Sequence, residues 1–340
     1  MNYIEEEIIE IVGSINYYES LKNKVFLITG ATGLIGSYVI RTLIKLNTEY
    51  NLNIKVYGVA RSKEKAEKID FFYNIDWIFA SLTDKINFNF KVDYVIHAAS
   101  PTDSKYFVTN PVEVIEDTNF GLDILLKQLS KINITRFVLI SSLEVYGMCN
   151  TDKFLCENEF YSINPTNVRN CYSLGKKMLE CLACSYSKEY KIPISIVRLG
   201  QTFGPGVKYT DNRVFAQFAR CVTEEKNIVL LTKGETKRSY CSLIDAVNGI
   251  LLVLLRGENC EAYNLASDNS YMSIIEMAKL FIENTNSKIE ICETTTNIYL
   301  GTIKFGLNTN KIKDLGFKSY EGLDVMVKKL KKYFKVINTF

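Results

Sequence analysis

The sequence predicts an α/β fold, a doubly wound parallel sheet followed by a smaller C-terminal domain. Short apolar runs alternate with segments of helical spacing, the runs are apolar at every position, and a glycine-rich turn joins the first run to the first helix. Alternating strands and helices require crossover connections and therefore a parallel sheet, and continuously apolar strands are covered on both faces. A length of 340 residues corresponds to about two domains.

The elements follow one another regularly along the first part of the chain. Residues 1–22 are predicted to form an amphipathic helical extension, because Ile4, Ile8 and Ile11 share one helical face. The predicted strands span residues 24–29, 54–60, 94–98 and 136–141, and the predicted helices span residues 36–46, 112–130 and 172–190. After Gly200 the turn signals of residues 204–206 interrupt this rhythm, which indicates a second domain.

Composition and charge exclude several classes of protein. With 41 basic and 38 acidic residues, the net charge of +3 provides no basic face for nucleic acid. No apolar stretch is long enough to cross a bilayer, and the acidic start of the chain is unlike a secretory signal. Nine cysteines without framework spacing predict reduced thiols and a cytoplasmic location. With one histidine, His97, and with Cys181 and Cys184 expected to pack in the core, we predict no metal site.

The turn after the first strand reads Thr29-Gly-Ala-Thr-Gly-Leu-Ile-Gly36 and carries a nucleotide-binding pattern. Gly30 permits a tight turn, Gly33 lets backbone amides approach a pyrophosphate, and Gly36 allows close packing of helix and strand. The N-terminus of the following helix faces the phosphate charge. This pattern predicts a Rossmann-like fold and a dinucleotide cofactor. The loop residues assigned to the cofactor are Gly30, Thr32, Gly33, Leu34, Ile35 and Gly36.

Arg61 leaves the choice of cofactor open. The second strand of such folds usually ends in an acid that binds the adenosine ribose of NAD, whereas this chain has Ala60 and Arg61 there. An arginine can accept a 2′-phosphate or stack on the adenine. We therefore expect NAD and keep NADP as an alternative because of Arg61.

The predicted domains follow from the glycine loop and the turn signals. Residues 23–199 are assigned to the dinucleotide-binding Rossmann-like domain, and residues 236–260 are expected to return to it. Residues 200–340 are assigned mainly to a smaller substrate-binding domain. Such a domain would close over the carboxyl edge of the sheet.

Two further motifs indicate acid–base chemistry. Tyr172 and Lys176 lie one helical turn apart on the same face, so the ammonium is expected to lower the pKa of the phenol. The phenolate can then take a proton from a sugar or alcohol hydroxyl during hydride transfer. Ser142 follows a buried strand, where open α/β sheets place their chemistry, and Glu144 is beside it. We predict Ser142, Glu144, Tyr172 and Lys176 as catalytic residues.

The combination of TGxxGxxG, SSxxVYG and YxxxK resembles the extended short-chain dehydrogenase/reductase family of NAD-dependent epimerases and dehydratases. The resemblance extends from about residue 24 to residue 281. It implies a nucleoside-diphosphate sugar as substrate. It also assigns to the cofactor Ala98, Ala99 and Ser100, at the end of the predicted strand 94–98, together with Tyr172 and Lys176.

Within that family the sequence is most similar to UDP-glucuronate decarboxylases. The similar segments are His97–Pro101, Asn110-Pro111, Asn119–Gly121, Asn164-Pro165, Arg169–Tyr172, Thr202–Pro205, Asn212–Val214 and Lys237–Tyr240. The resemblance implies that Arg213 and Arg238 hold the diphosphate, which a planar guanidinium can bind through two oxygens. It further assigns Ser142, Arg169 and Gln201 to the substrate.

Three departures qualify this resemblance. Leu143 occupies the place where 4,6-dehydratases carry an aspartic acid that protonates the leaving hydroxyl, so dehydration lacks its proton donor. Gln201 replaces an asparagine that usually meets the substrate, and Arg61 replaces the ribose acid. Substrate and cofactor preference therefore stay open.

The resemblance implies an enzyme that oxidises the sugar C4 hydroxyl to a 4-keto intermediate and then decarboxylates, as UDP-glucuronate decarboxylases do. The alternatives are a nucleotide-sugar 4-epimerase or 4-dehydrogenase, which have no use for Glu144, and less readily a 4,6-dehydratase. A third alternative is a catalytically inactive dinucleotide sensor, but the chain retains both Tyr172 and Lys176. Relatives pair through two long helices, so the resemblance implies a homodimer, and it suggests a role in polysaccharide biosynthesis.

Overall fold

The computed structural model describes residues 3–84, 86, 88–293 and 302–338, and it confirms the α/β fold. The helices are α1 (Tyr3–Ser14), α2 (Leu34–Tyr50), α3 (Lys63–Glu67), α4 (Tyr106–Thr109), α5 (Pro111–Leu129), α6 (Cys171–Tyr190), α7 (Val214–Thr223), α8 (Leu243–Arg256), α9 (Ile274–Ile282), α10 (Asn310–Asp314) and α11 (Leu323–Ile337). The strands are β1 (Val25–Thr29), β2 (Lys55–Ala60), β3 (Asp76–Phe79), β4 (Tyr94–His97), β5 (Arg136–Ser142), β6 (Asn150–Leu155), β7 (Ile194–Leu199), β8 (Gln201–Thr202), β9 (Ile228–Leu230), β10 (Lys237–Arg238), β11 (Tyr240–Cys241), β12 (Ala262–Leu265), β13 (Met272–Ser273), β14 (Ile289–Ile291) and β15 (Lys304–Leu307).

The main sheet contains seven strands among the described residues, in the order β12-β7-β5-β4-β1-β2-β3. Every neighbouring pair in this sheet is parallel. The chain runs outward from β1 to β3, then returns to β4 on the other side of β1. The order therefore reverses between β1 and β4, and a crevice forms at that point beyond the carboxyl ends of the strands.

Helices cover both faces of this sheet. On one face, α1, α2 and α8 form a core with residues such as Ile11, Leu43 and Leu251. On the other face, α5 and α6 form a second core with residues such as Leu122 and Leu179. Residues 243–254 of α8 are all buried. None of the described helices combines the length and apolar character that a bilayer span requires.

A second unit is built from segments that lie between and after the last strands of the main sheet. Strands β13, β10, β15 and β6 form a small mixed sheet, in which β10 is antiparallel to β13 and parallel to β15. Helices α7, α9 and α11 enclose a separate core with residues such as Phe215, Phe281 and Leu330. Strand β8 directly follows β7 in the chain and pairs with β11, so these two short strands lie at the carboxyl edge of the main sheet.

The two ends of the described chain meet at one lysine. Lys329 of α11 lies 2.8 Å from the carboxylate of Glu7 and 2.6 Å from that of Glu10, both in α1, and it also pairs with Glu321. Glu7 is 3% exposed, so one cation compensates a buried carboxylate.

Candidate functional site

The candidate site lies where β1, β4 and β5 end side by side. The glycine loop follows β1, residues 98–101 follow β4, and a short helical turn, Leu143–Tyr146, follows β5. Because the strands are parallel, these three loops meet at one edge of the sheet.

The glycine loop has no room for side chains at two positions. Gly30 has a φ of +68°, and a Cβ there would lie 2.8 Å from the backbone of Ala98 and Ala99. At Gly36 a Cβ would lie 2.3 Å from the carbonyl oxygen of Gly30. The amide of Gly33 donates to the Gly30 carbonyl at 2.8 Å, and α2 begins at the next residue. This open cradle at the N-terminus of a long helix fits a pyrophosphate group.

The remaining assigned loop residues surround this cradle. Thr32 is exposed, and Leu34 and Ile35 are half-buried at the start of α2. The amides of Ala98 and Ala99 donate to Thr29, to its carbonyl and its hydroxyl, at 3.3 and 3.4 Å. The loop after β4, including the half-buried Ser100, therefore lies beside the glycine loop.

Beneath these loops lies His97, which had no assigned role beyond its motif. Its Nδ1 is 3.0 Å from the Thr29 hydroxyl, and the side chain is 1% exposed. Burial, and secondly the charge of Lys176, lowers the pKa of His97 to about 3. The imidazole is therefore neutral at physiological pH and joins β1 to β4 as a structural group.

Arg61 follows β2 and points along the surface. Its Nη1 lies 3.0 Å from the Asp117 carboxylate of α5, and its side chain is 71% exposed. Such an exposed pair is weak and can be exchanged for another anion. Arg61 thus follows the strand that usually ends in the acid that binds the adenosine ribose, and in this structure it is paired with the Asp117 carboxylate.

Tyr172 is half-buried at the start of α6, where its ring stacks on Phe107 with 4.5 Å between centroids. Burial, with a smaller contribution from the charge of Glu144, raises the pKa of Tyr172 to about 12. A hydrogen bond with Ser142 and the charge of Arg213 lower that pKa. Ser142 is therefore in contact with the phenol, as the acid–base hypothesis requires.

Lys176 lies one turn further along α6 and is 3% exposed. Its Nζ lies 5.8 Å from the centroid of the Tyr172 ring and donates to the Ile140 carbonyl at 2.9 Å. Burial lowers the pKa of Lys176 to about 8, and Glu180 opposes this shift. The sequence predicts that the charge of Lys176 lowers the pKa of Tyr172. In the structure the lowering comes instead from the hydrogen bond with Ser142 and the charge of Arg213.

A buried polar network supports the inner face of α6, and sequence reasoning missed it. Glu180 accepts from Arg198 Nη2 at 2.8 Å and from the Ser141 hydroxyl at 2.5 Å. Arg198 Nη1 donates to the Tyr146 hydroxyl at 3.1 Å, and this hydroxyl donates to Asn264 at 2.7 Å. One feature of the sequence could have indicated this network: Glu180 lies four residues after Lys176, so it is on the same helical face as Tyr172 and Lys176.

Glu144 lies beside Ser142 and is already paired. Its Oε1 is 3.4 Å from Nη1 of Arg238 in β10, and its Oε2 accepts from Ser173 at 3.2 Å. The Ser142 hydroxyl accepts from the Glu144 amide at 3.2 Å. The second unit therefore contributes a cation, Arg238, to the residues at the end of β5.

The other residues assigned to the substrate lie around this group. Arg213 is held by Asp211 at 2.7 Å, although its charge still acts on Tyr172. The Arg169 guanidinium lies 5.3 Å from the Phe107 ring, which itself stacks on Tyr172. Gln201, in β8, is half-buried, and its backbone amide donates to the Ser239 carbonyl at 3.1 Å.

The structure also places Leu143 and the two cysteines of α6. Leu143 is 2% exposed and packs in a small core with Val145 and Phe305, so its side chain is part of the interior. Cys181 is exposed and Cys184 is half-buried, so the expectation that both pack in the core is wrong for Cys181. Helix α6 turns the side chain of Cys181 away from the sheet.

Comparison with known proteins finds similarity in sequence to nucleotide-sugar enzymes. The chain is 28% identical over 272 residues to UDP-glucuronic acid decarboxylase 5 of Arabidopsis thaliana, covering 79% of this chain and 77% of the relative. It is 26% identical over 324 residues to dTDP-D-glucose 4,6-dehydratase of Mus musculus, covering 92% and 89%.

Solved structures share the fold at lower identity. UDP-glucose 4-epimerase of Thermotoga maritima, solved with UDP-glucose, has a TM-score of 0.79 at 22% identity and covers 92% of this chain and 99% of its own. UDP-glucuronic acid 4-epimerase of Bacillus cereus, solved with UDP-glucuronic acid and NAD, has a TM-score of 0.76 at 19% identity, with the same coverage. The family model that describes the NAD dependent epimerase/dehydratase family matches residues 26–266. This match covers most of the chain and includes both the glycine cradle and the tyrosine–lysine pair, so the chain belongs to that NAD-dependent family of enzymes.

Proposed function

We propose that this chain oxidises the C4 hydroxyl of a nucleoside-diphosphate sugar to a 4-keto intermediate and decarboxylates a substrate like UDP-glucuronate. The observation that carries the proposal is the meeting of Ser142, Tyr172 and Lys176 with the Glu144–Arg238 pair at one edge of the sheet. The similarity to UDP-glucuronic acid decarboxylases supports it.

In this proposal Tyr172 removes the proton of the C4 hydroxyl. Its contact with Ser142 fixes the phenol, and the nearby charge of Arg213 favours the phenolate. Lys176 places a second positive charge one helical turn away. Bound NAD supplies the hydride acceptor and later the hydride donor, and the residues assigned to hold it are those of the glycine loop and of residues 98–100.

The carboxylate of a uronic acid substrate favours decarboxylation over dehydration. A ketone at C4 lies β to the C6 carboxylate, so carbon dioxide can leave as an enolate forms. Arg238, which is expected at the diphosphate, can offer its cation to the substrate, because its 3.4 Å contact with Glu144 is long enough to be exchanged. Dehydration would need an acid at position 143, where the buried Leu143 provides none.

A 4-epimerase or 4-dehydrogenase is the second candidate. It is favoured by the state of Glu144, which is bound by both Arg238 and Ser173 and so is not a free base. The same Ser142, Tyr172 and Lys176 would serve that reaction.

Further parts of the proposal concern cofactor, assembly and location. We propose NAD, with NADP as the alternative if Arg61 exchanges Asp117 for a 2′-phosphate. We also propose a homodimer through α5 and α6, whose exposed apolar side chains include Ile115, Phe120 and Met178. Leu179 and Ala183 of α6, which the sequence left open as interface or core residues, lie in the core, so they are not available to a partner. The nine cysteines are unpaired, which supports the cytoplasm.

The first experiment is to incubate the purified protein with UDP-glucuronate and NAD and to record the mass of the sugar nucleotide. We expect the loss of one carbon dioxide. Tyr172→Phe should abolish turnover while leaving the thermal midpoint nearly unchanged, and Tyr73→Phe, a fully surface tyrosine at 94% exposure, is the matched control. Full activity of Tyr172→Phe would refute the assigned chemistry.

Glu144→Gln separates the two candidates. If decarboxylation uses Glu144 for proton transfer or orientation, kcat for carbon dioxide release should fall by about 10²-fold or more. With the native protein, an unchanged product mass would indicate the epimerase, and the loss of two hydrogens would indicate the dehydrogenase. Full activity of Glu144→Gln on a neutral sugar nucleotide would accompany either outcome.

A further inference from the structure

Two cysteines outside the candidate site lie against each other. Cys184, in the second half of α6, donates through Sγ to the carbonyl of Cys260 at 3.8 Å. Cys260, just before β12, donates through Sγ to the carbonyl of Cys184, also at 3.8 Å. Because each sulfur reaches the other residue's backbone, the two side chains pass side by side and their sulfur atoms are neighbours. The residues are 76 positions apart in the sequence, so the fold creates this contact.

Both backbones are held by hydrogen bonds, one in a helix and the other in a turn. Cys184 lies inside α6, one turn after the buried Glu180. Cys260 has a φ of 61°, and its amide donates to the Ile194 carbonyl of β7 at 2.8 Å. The contact therefore joins α6 to the turn that leads into β12, the end strand of the main sheet.

We propose that Cys184 and Cys260 are a redox modification site, at which a small-molecule disulfide such as oxidised glutathione drives a reversible disulfide within the chain. Cys260 is exposed and reacts first: its thiolate attacks one glutathione sulfur, forms a mixed disulfide and releases one reduced glutathione. The Cys184 thiolate then attacks the Cys260 sulfur and releases the second glutathione. Two protein thiols are oxidised, one glutathione disulfide is reduced, and the two thiol protons end on the two glutathiones.

The surroundings support this order of events. Burial raises the pKa of the Cys184 thiol to about 12, and the neighbouring Cys260 contributes to the rise. Cys184 is therefore protected from direct reaction in solution, and it is used only when a disulfide on Cys260 lies beside it. Cys181 is exposed one turn earlier on the same helix, so it provides an internal comparison.

The test uses the full chain in buffers with graded ratios of reduced to oxidised glutathione. Free thiols are then blocked with N-ethylmaleimide, and the protein is digested for peptide mass mapping. We expect a cross-linked pair of peptides that contain Cys184 and Cys260, lighter by two hydrogens and separated again by dithiothreitol. Because the bond closes a long loop, the thermal midpoint of the oxidised protein should rise by about 3–8 °C.

Serine variants identify the partners. Cys184→Ser and Cys260→Ser should each abolish the cross-link and the rise in midpoint, whereas Cys181→Ser should retain both. Equal midpoints of all reduced proteins would show that the variants are folded. Stable glutathione adducts on Cys260 without the internal bond, or a bond between Cys181 and Cys260 in the native chain, would overturn the proposal.

Discussion

At the scale of single residues, Lys176 carries a charge into a buried position at the candidate site. Burial lowers the pKa of Lys176 from 10.5 to about 8. Between pH 8 and pH 10.5 the unfolded chain therefore binds a proton at this lysine that the folded chain has lost. The free energy of unfolding rises with pH across that window, and below pH 8 the cost of burying the charge is fully present.

Lys176→Met should therefore stabilise the fold at pH 7 by about 2–3 kcal/mol, because it removes the buried charge. The gain should shrink as the pH rises towards 9.5, and turnover should be lost at every pH. Urea unfolding at several pH values measures this, with Lys188→Met, an exposed lysine of the same helix, as control. A variant less stable than the native chain at pH 7 would show that the charge is a net stabilising group.

At the scale of elements, two glycines in helices have opposite surroundings. A Cβ at Gly36 in α2 would lie 2.3 Å from the Gly30 carbonyl oxygen, whereas a Cβ at Gly13 in α1 would meet nothing within 4 Å. Gly36 thus sets the distance between α2 and the loop that precedes it. Gly13 has no such role, and there the freedom of glycine only weakens the helix.

Gly36→Ala should destabilise the fold by about 1–3 kcal/mol and weaken NAD binding, because the loop must move away from α2. Gly13→Ala should stabilise it by about 0.5–1 kcal/mol and leave NAD binding unchanged. Thermal unfolding with and without NAD reports both effects. Native NAD affinity in Gly36→Ala would contradict the assigned role of the cradle.

The sequence predicted β1, β2, β4 and β5 because each is a continuous apolar run beside a turn or helix signal. It missed β3, β7 and β12. Strands β3 and β12 are four residues each and mix polar with apolar side chains, and β7 contains Ser195 and Arg198. It also ended the second predicted helix at residue 46, although α2 continues to Tyr50, where stacking on Tyr18 holds the last turn.

At the candidate site, the motifs predicted the contact of Ser142 with Tyr172 because both motifs are local. They could not predict the Glu144–Arg238 or Arg198–Glu180 pairs, because those depend on how distant segments meet. The division of the chain into domains and the roles of the site residues stay predictions.

At the scale of the whole molecule, Lys329 links the first and last described helices. Burial raises the pKa of Glu7 to about 7, and Glu321 adds to this, whereas Lys329 opposes it. Between pH 4.5 and pH 7 the folded chain therefore holds a proton on Glu7 that the unfolded chain has lost. At this group, stability falls as the pH rises through that window.

Lys329→Met should destabilise the protein by about 3 kcal/mol at pH 8, because Glu7 is then buried without a cation. The loss should be smaller at pH 5, where Glu7 can take up a proton. Lys328→Met is the control: that lysine forms an exposed pair with Asp324, and its loss should cost less than about 1 kcal/mol. Chemical denaturation at both pH values distinguishes the two, and an equal loss at both would contradict a buried Glu7 carboxylate.

The position of β12 in the main sheet has a consequence for synthesis of the chain. All six residues of β7 are buried, and one side of this strand is covered only by β12, which begins at residue 262. While the ribosome is still producing the residues between them, β7 is a long, apolar edge that can pair with a foreign strand. The nascent chain therefore has an aggregation-prone interval that ends only when residue 265 has emerged, and a chaperone that binds apolar strands would act in that interval.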